Sequence, residues 1–331
     1  MHPYKFTPEM WLPILISFLA SWFCIVLILR SRLARELADV PNARSLHTRV
    51  TPRVGGLGIM FGVLMGWLYS GEGLWFVLVP LVLLFGVSVL DDKHNLPVRW
   101  RFLMHFLAAA GVLLSMTWPH SWQSLVLVPV LLLTIVWMTN LYNFMDGSDG
   151  LAGGMAMIGF GSYGVAAWSA GESSFAMVNL CIAAAALGFL IYNFHPAKVF
   201  MGDAGSIPLG FLSAALGIWG WTKSIWPAWF PLLVFSPFIV DATLTLIKRF
   251  VRGDKVTQAH REHYYQRAIQ MGLGHRNLAL LEYALMVLAG VTGVLCLEYE
   301  WPWALLIAWV AIYAILIKFI DARWARLSQD K

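Results

Sequence analysis

The sequence predicts an all-α fold: a polytopic integral membrane helix bundle of about eleven transmembrane helices, on two observations. Hydrophobic residues make up 59% of the chain and charged residues only 12%, with a mean hydropathy of +0.69. An ordinary soluble domain carries about 25% charged residues. In addition, 21 of the 23 lysines and arginines fall in alternate connections between the apolar runs, the asymmetry expected when basic loops are retained in the cytosol.

Apolar runs long enough to cross about 30 Å of hydrocarbon are read at 9–29, 54–70, 74–90, 102–118, 124–139, 151–169, 175–192, 206–221, 228–247, 277–297 and 303–320. The basic residues gather in 30–53, 91–101, 193–205, 248–276 and 318–331, while only Lys5 and Lys223 lie on the opposite side. The N-terminus is therefore expected in the periplasm and the C-terminus in the cytosol of a bacterial inner membrane. The first span lacks a basic leader and a small-residue cleavage site, and Arg30, Arg32 and Arg35 follow it, so a retained helix is expected rather than a signal peptide. In the second span Gly58, Gly62 and Gly66 recur every four residues, a spacing that lets a neighbouring helix approach closely. Trp11, Trp67, Trp118, Trp122, Trp226, Trp301 and Trp303 are read as interfacial anchors. Pro227, Pro231 and Pro237 are expected to bend or break the ninth span.

No stretch is long enough for a separate soluble domain, so residues 1–331 are read as one transmembrane domain with cytosolic loops at about 30–53, 91–101, 140–150, 193–205 and 248–276. Cys24, Cys181 and Cys296 all fall inside spans, with neither metal-ligand spacing nor a disulfide framework. The formal charge of +5 is a topology signal and does not imply nucleic acid.

Among only 18 acidic residues, Asp91, Asp92, Asp146, Asp149 and Asp203 all sit at cytosolic ends of spans. Adjacent carboxylates such as Asp91 and Asp92 repel unless a cation or nearby bases keep them ionised. Lys93, Arg99 and Arg101 stand close enough in sequence to do that or to bind phosphate. Asn140, Asn143, Asp146 and Asp149 are spaced by three, so on a helix they would lie side by side, with Gly147 and Gly150 either admitting a ligand or breaking the helix. Asp203 stands between Gly202 and Gly205, where either it or Ser206 could cap the following helix or reach a metal. Oxygen donors without cysteine favour Mg²⁺, with Mn²⁺ as the alternative.

The first cytosolic loop brings Asp39, Arg44, His47, Arg49 and Arg53, and the largest brings His260, Arg261, His263 and Arg267. His260 and His263, three apart, could share a helix face, but a structural zinc site would need further ligands. Asp241 and Glu282 lie inside spans, where an acid is a functional suspect and helix pairing is the alternative; pairing is favoured for Glu282 and Asp241 is left open.

Taken in order along 39–267, these loops resemble those of the polyprenyl-phosphate N-acetylhexosamine-1-phosphate transferases. That family includes bacterial enzymes that start O-antigen and enterobacterial common antigen synthesis, and the phospho-MurNAc-pentapeptide translocase. The resemblance implies that Asp91 and Asp92 serve catalysis, that Asn143 lies near the metal and Asp149 near the uracil, and that Asp203 is the main magnesium ligand. Asn140, Asn143, Asp146, Gly147 and Gly150 match the family's Asn-x-x-Asn-x-x-Asp-Gly-x-x-Gly pattern, and Arg49 stands where relatives often carry a basic residue before Thr-Pro. Relatives carry a denser histidine run in the last loop, which shapes their sugar pocket; here it thins to His260 and His263. The expected catalytic set is thus Asp91, Asp92, Asp146, His260 and His263. Substrate contacts are expected from Arg49, Arg99, Arg101, Asn140, Asp149, Lys198 and Arg261, and metal ligation from Asp203 and Asn143.

The implied reaction transfers N-acetylhexosamine 1-phosphate from a UDP-N-acetylhexosamine to undecaprenyl phosphate, releasing UMP at the cytosolic face. Direct attack and a covalent aspartyl intermediate both remain open, as do the sugar and a homodimer. The rival is an ion-coupled secondary transporter using Asp241 and the other aspartates, although neither a repeat nor a midplane acidic cluster is present.

Overall fold

The apolar runs fold into helices whose exposed faces are the greasy ones. The computed structural model describes residues 8–41, 46, 47, 49–71, 74–94, 96–116, 122–255, 258 and 260–329. Its helices are α1 (Pro8–Leu29), α2 (Leu33–Glu36), α3 (Gly55–Ser70), α4 (Trp75–His94), α5 (Val98–Ser115), α6 (Trp122–Phe144), α7 (Leu151–Ser169), α8 (Ser173–Asn193), α9 (Asp203–Thr222), α10 (Trp229–Val234), α11 (Ser236–Val251), α12 (Tyr264–Gln270), α13 (His275–Leu295) and α14 (Trp303–Gln329). Eight of them, α1, α4, α5, α6, α8, α9, α13 and α14, are long and apolar enough to cross a membrane. This is a polytopic membrane protein. The other three expected spans coincide with α3, with α7 and with the pair α10 and α11.

On α1 the large residues Trp11, Leu15, Leu19, Phe23 and Leu27 point outward, while Ser17, Ser21 and Ile25 are buried. That inverted pattern suits lipid, where small and polar residues let helices meet. The buried face lies on α3: a Cβ at Gly58, Gly62 or Gly66 would collide with Ile25, Ser21 or Ser17 respectively. Further inward α8 packs on α1, α3 and α7, and α9, almost every residue of which is buried, packs on α4 and α6. By contrast, α14 is almost wholly exposed.

The ninth expected span is broken, with Phe235 separating α10 from α11 and Pro237 within the first turn of α11. Trp11, Trp301 and Trp303 are exposed as anchors should be, but Trp67 and Trp226 are buried and donate their indole N–H groups to Val178 O and Gly217 O at 3.1 and 3.0 Å. Those two are packing residues, not interfacial anchors. Trp118 lies outside the described residues, as does the Trp122 side chain. All three cysteines are free thiols.

One departure from an all-α chain occurs in the loop between α2 and α3, where β1 (Ala38–Asp39) pairs antiparallel with β2 (Thr51–Pro52). Phe200 N–H donates to Pro52 O at 2.8 Å, and the Gly55 and Gly56 N–H groups donate to Phe200 O and Met201 O. This ladder ties the loop before α3 to the loop before α9, bringing two distant segments to the same end of the bundle.

Candidate active site

Asp91 and Asp92 occupy the last turn of α4, where carboxylates oppose the negative end of that helix. The neighbouring α9 offsets this. Asp92 accepts the backbone N–H groups of Asp203 at 3.1 Å and Ala204 at 2.9 Å, so α9 is capped by a side chain from α4 and not by Asp203 or Ser206. Gly202 precedes it with φ 72°, and a Cβ there would lie 2.9 Å from the Asp92 carboxylate. A side chain at 202 is thus excluded twice, by backbone strain and by space. Asp91, buried, accepts Leu96 N–H at 2.6 Å and pairs with Arg101 Nε at 3.0 Å; Arg101 Nη2 also lies 3.4 Å from Asp203. Arg101 therefore bridges two carboxylates instead of facing the pocket.

The expected stripe from Asn140 to Asp149 divides, because α6 ends at Phe144 and a turn containing Gly147 and Gly150 follows. Asn140 turns inward to His105 at 3.1 Å and to Val136 O, so its amide is committed inside the bundle. Asn143, Asp146 and Asp149 face a cavity of about 290 Å³, with Asp203 and Gly202 opposite. Asp39, His47, Arg53, Ser148, Asn193, Gln266 and His275 complete much of its wall.

This wall is negative. Asp39, Asp146, Asp149 and Asp203 face Arg53, which is the one lysine or arginine lining the cavity among the described residues. Arg53 is itself paired to Asp39 at 2.6 Å. Burial, then the carboxylates of Asp203 and Asp92, push Asp146 well above the usual carboxylate range, with Arg53 opposing. A cation relieves that repulsion. No three His, Cys, Asp or Glu side chains among the described residues close on one point to hold an ion unaided. Mg²⁺ typically takes only one or two protein carboxylates and completes its shell with water and substrate phosphates. The oxygen donors Asp203, Asp146 and Asn143 fit that habit.

Asp149 is already engaged on one oxygen, with His195 Nδ1 at 2.7 Å and Ala197 N–H at 3.1 Å, while Ser148 Oγ lies 2.9 Å from His275 Nδ1. His260 and His263 do not line the cavity. His263 precedes α12 and lies buried 3.3 Å from Asp241, with its ring 4.8 Å from that of His260. The Arg261 carbonyl accepts Gln270 Nε2 at 2.9 Å, and its side chain is outside the cavity lining. Arg49, Arg99 and Lys198 are exposed, and Arg44 lies outside the described residues. Asp241 is no free ion site: its two oxygens accept the N–H groups of Tyr264 and Tyr265 at 2.8 and 2.9 Å. Glu282 is half-buried and has no ion-pair partner among the described residues, so the helix pairing expected of it is not found.

Residues 74–221 match the model of glycosyl transferase family 4. The chain is also 29% identical over 335 residues to the probable undecaprenyl-phosphate N-acetylglucosaminyl 1-phosphate transferase of Bacillus subtilis (strain 168), covering 94% of this chain and 91% of that protein. It is 30% identical over 311 residues to the decaprenyl-phosphate N-acetylglucosaminephosphotransferase of Mycobacterium leprae (strain TN), covering 78% and 76% respectively. The chain belongs to glycosyl transferase family 4. The undecaprenyl-phosphate alpha-N-acetylglucosaminyl 1-phosphate transferase of Salmonella typhi is 28% identical over 337 residues, 93% of this chain and 90% of that one.

Within this family 4 chain, the matched stretch supplies Asn143, Asp146, Asp149 and Asp203 of the cavity wall, together with Asp91 and Asp92 behind it, whereas His47, Arg53, Gln266 and His275 line the cavity from beyond that stretch. Sequence reasoning passed over Ser148, Asn193, Gln266 and His275. Asn193 is the last residue of α8 and His275 the first of α13, so polar residues at helix ends, read together with the acids, were the available signal.

Proposed function

We propose that this chain transfers N-acetylglucosamine 1-phosphate from UDP-N-acetylglucosamine to a polyprenyl phosphate, undecaprenyl phosphate above all, releasing UMP and starting a lipid-linked glycan. The observation that carries the reading is the convergence of Asp146 and Asp203 on a cavity large enough for part of a nucleotide sugar, with Asp92 holding the start of α9 beside it. The names of the relatives support the sugar and the lipid carrier.

In the reaction, a phosphate oxygen of the lipid attacks the phosphorus that bears the sugar, and the bond from that phosphorus to UMP breaks. Asp203, Asn143 and Asp146 would hold Mg²⁺, which when bound would supply charge neutralisation at the diphosphate. Arg53, beside the Gly202–Asp203 turn, faces the same anion. Asp92 spends both oxygens on α9 backbone N–H groups, which makes it a poor nucleophile and supports direct attack over a covalent aspartyl intermediate. Asp91 holds Arg101 against Asp203 and so sets the donor's orientation. Exposed Arg49, Arg99 and Lys198 draw both polyanions to the face. An apolar cavity of about 200 Å³ beside the α10–α11 break, lined by Leu131, Met138, Leu232 and Phe235 among others, offers room for isoprenoid units.

The topology of the reading has eleven crossings, with the N-terminus outside and this cavity in the cytosol. Purified protein given UDP-N-acetylglucosamine, undecaprenyl phosphate and Mg²⁺ should release UMP. A panel that also includes the UDP derivatives of N-acetylgalactosamine, N-acetylfucosamine and N-acetylquinovosamine tests the sugar; no UMP from any of them sinks the transferase reading. In a variant lacking native cysteines, Glu298→Cys should label from outside and Gln258→Cys only after permeabilisation. The reverse pattern inverts the topology.

A further inference from the structure

Asp241 is buried in α11 and the reaction above makes no use of it. Its Oδ1 accepts Tyr264 N–H at 2.8 Å and the Thr245 hydroxyl at 3.3 Å, and its Oδ2 accepts Tyr265 N–H at 2.9 Å. The start of α12 is thereby fixed to a membrane helix. Charge-assisted bonds to backbone N–H groups are the stronger kind, and here two of them hold consecutive residues.

The second of those residues reaches the active cavity. Tyr265 is buried, donates its hydroxyl to Phe144 O at 3.1 Å and accepts Gln266 Nε2 at 3.1 Å. A Cβ at Gly147 would collide with that same hydroxyl. Phe144 is the last residue of α6 and Gly147 lies with Asp146 in the turn that follows; Asn143, Asp146, Gly147 and Gln266 all line the cavity. A continuous line of contacts thus runs from Asp241 through the Tyr265 backbone and ring to the segment bearing Asn143 and Asp146, two of the donors proposed for the metal. Asp321 of α14 pairs with Arg267 of α12 at 3.1 Å and with Lys248 of α11 at 2.5 Å.

We infer that Asp241, acting through Tyr265, is a positioning residue that holds the Asn143–Gly147 turn in its reactive arrangement. The inference rests on the transferase reading for its kinetic consequence, but the physical coupling stands apart from it.

The test uses the full-length detergent-purified chain with UDP-N-acetylglucosamine, undecaprenyl phosphate and Mg²⁺. Tyr265→Phe, which deletes one hydrogen bond, should lower kcat about fivefold and leave KM for the nucleotide sugar within about twofold. Gly147→Ala should lower kcat about a hundredfold, as expected of a displaced reacting group. Combining the two removes the colliding oxygen, so the double variant should return to the level of Tyr265→Phe. A double variant as inactive as Gly147→Ala overturns the link, as does Tyr265→Phe with unchanged kcat. Hydrogen exchange over residues 141–150 needs no turnover: Asp241→Asn should speed it about tenfold, and unchanged exchange overturns the inference. Should Asp241→Asn fail to fold, the Gly147 and Tyr265 pair decides. A wild type that releases no UMP strikes the transferase reading instead, and the exchange measurement still decides the coupling.

Discussion

Two acidic regions lie at the same end of this molecule and are built in opposite ways. Around the cavity, Asp39, Asp146, Asp149 and Asp203 outnumber Arg53, and burial among carboxylates pushes Asp146 up. Around α12, three acids are each answered: Asp241 by two N–H groups, Glu262 by Arg249 and Arg252, and Asp321 by Lys248 and Arg267. Arg252 and Arg249 hold Glu262 below the usual carboxylate range although partial burial opposes them. Charge left uncompensated in the cavity is what the proposed cation and phosphorylated substrate would answer. Charge that is fully paired marks architecture.

The sharpest way to break this contrast is to change one acid in each region. Asp203→Asn should reduce UMP release by at least about a hundredfold, the scale seen when a preorganised electrostatic group is lost, with an unchanged melting temperature in detergent. Chelation should do the same to the wild type, and added Mg²⁺ should restore it. Near-normal activity in Asp203→Asn would move the metal elsewhere. Glu262→Gln should act the other way round, leaving buried Arg249 without its carboxylate. Breaking a buried pair costs about 3–5 kcal/mol, and the partial exposure of Glu262 reduces that to about 2 kcal/mol. Its melting temperature should fall while turnover per folded molecule falls far less than in Asp203→Asn.

How much of this was legible in the sequence follows the same division. The helices, the shared end of the five aspartates and the break near Pro237 were legible, because hydropathy and proline chemistry act locally. The partners were not. Asp149 meets His195, 46 residues on, and Asp241 meets the Tyr264 N–H, 23 residues on, so neither engagement leaves a local trace. Arg49 and Arg53 look alike in the loop, but Arg53 is the one turned to the cavity. Its backbone N–H is held by Leu37 O next to the β1–β2 pairing, a register that only the folded ladder sets. Trp67 and Trp226 read as anchors because sequence position near a span end does not reveal whether a carbonyl waits for the indole.

A smaller effect tests the exposed basic surface, which belongs to neither region. Arg99→Ala and Lys198→Ala should raise KM by no more than about threefold, and the difference should vanish at high salt, where exposed charges are screened within about 3 Å at 1 M. A tenfold change persisting in salt would place substrate directly on these side chains.

The smallest effect concerns proton uptake in the paired region. Burial, followed by the charges of His263 and Arg249, pushes His260 down to about 4, with Glu262 opposing. The unfolded chain takes up this proton near pH 6.5 and the folded protein only near pH 4, so the unfolded state binds more protons between those values. Stability therefore falls as pH is lowered through that window and levels off below it. His260→Gln, which cannot titrate, should lose less melting temperature than the wild type between pH 6.5 and 4.5, while the two should change in parallel above pH 7. Identical pH dependence in both proteins would show that His260 carries its proton in the folded loop, and that the basic side of α12 is less closed than its ion pairs imply.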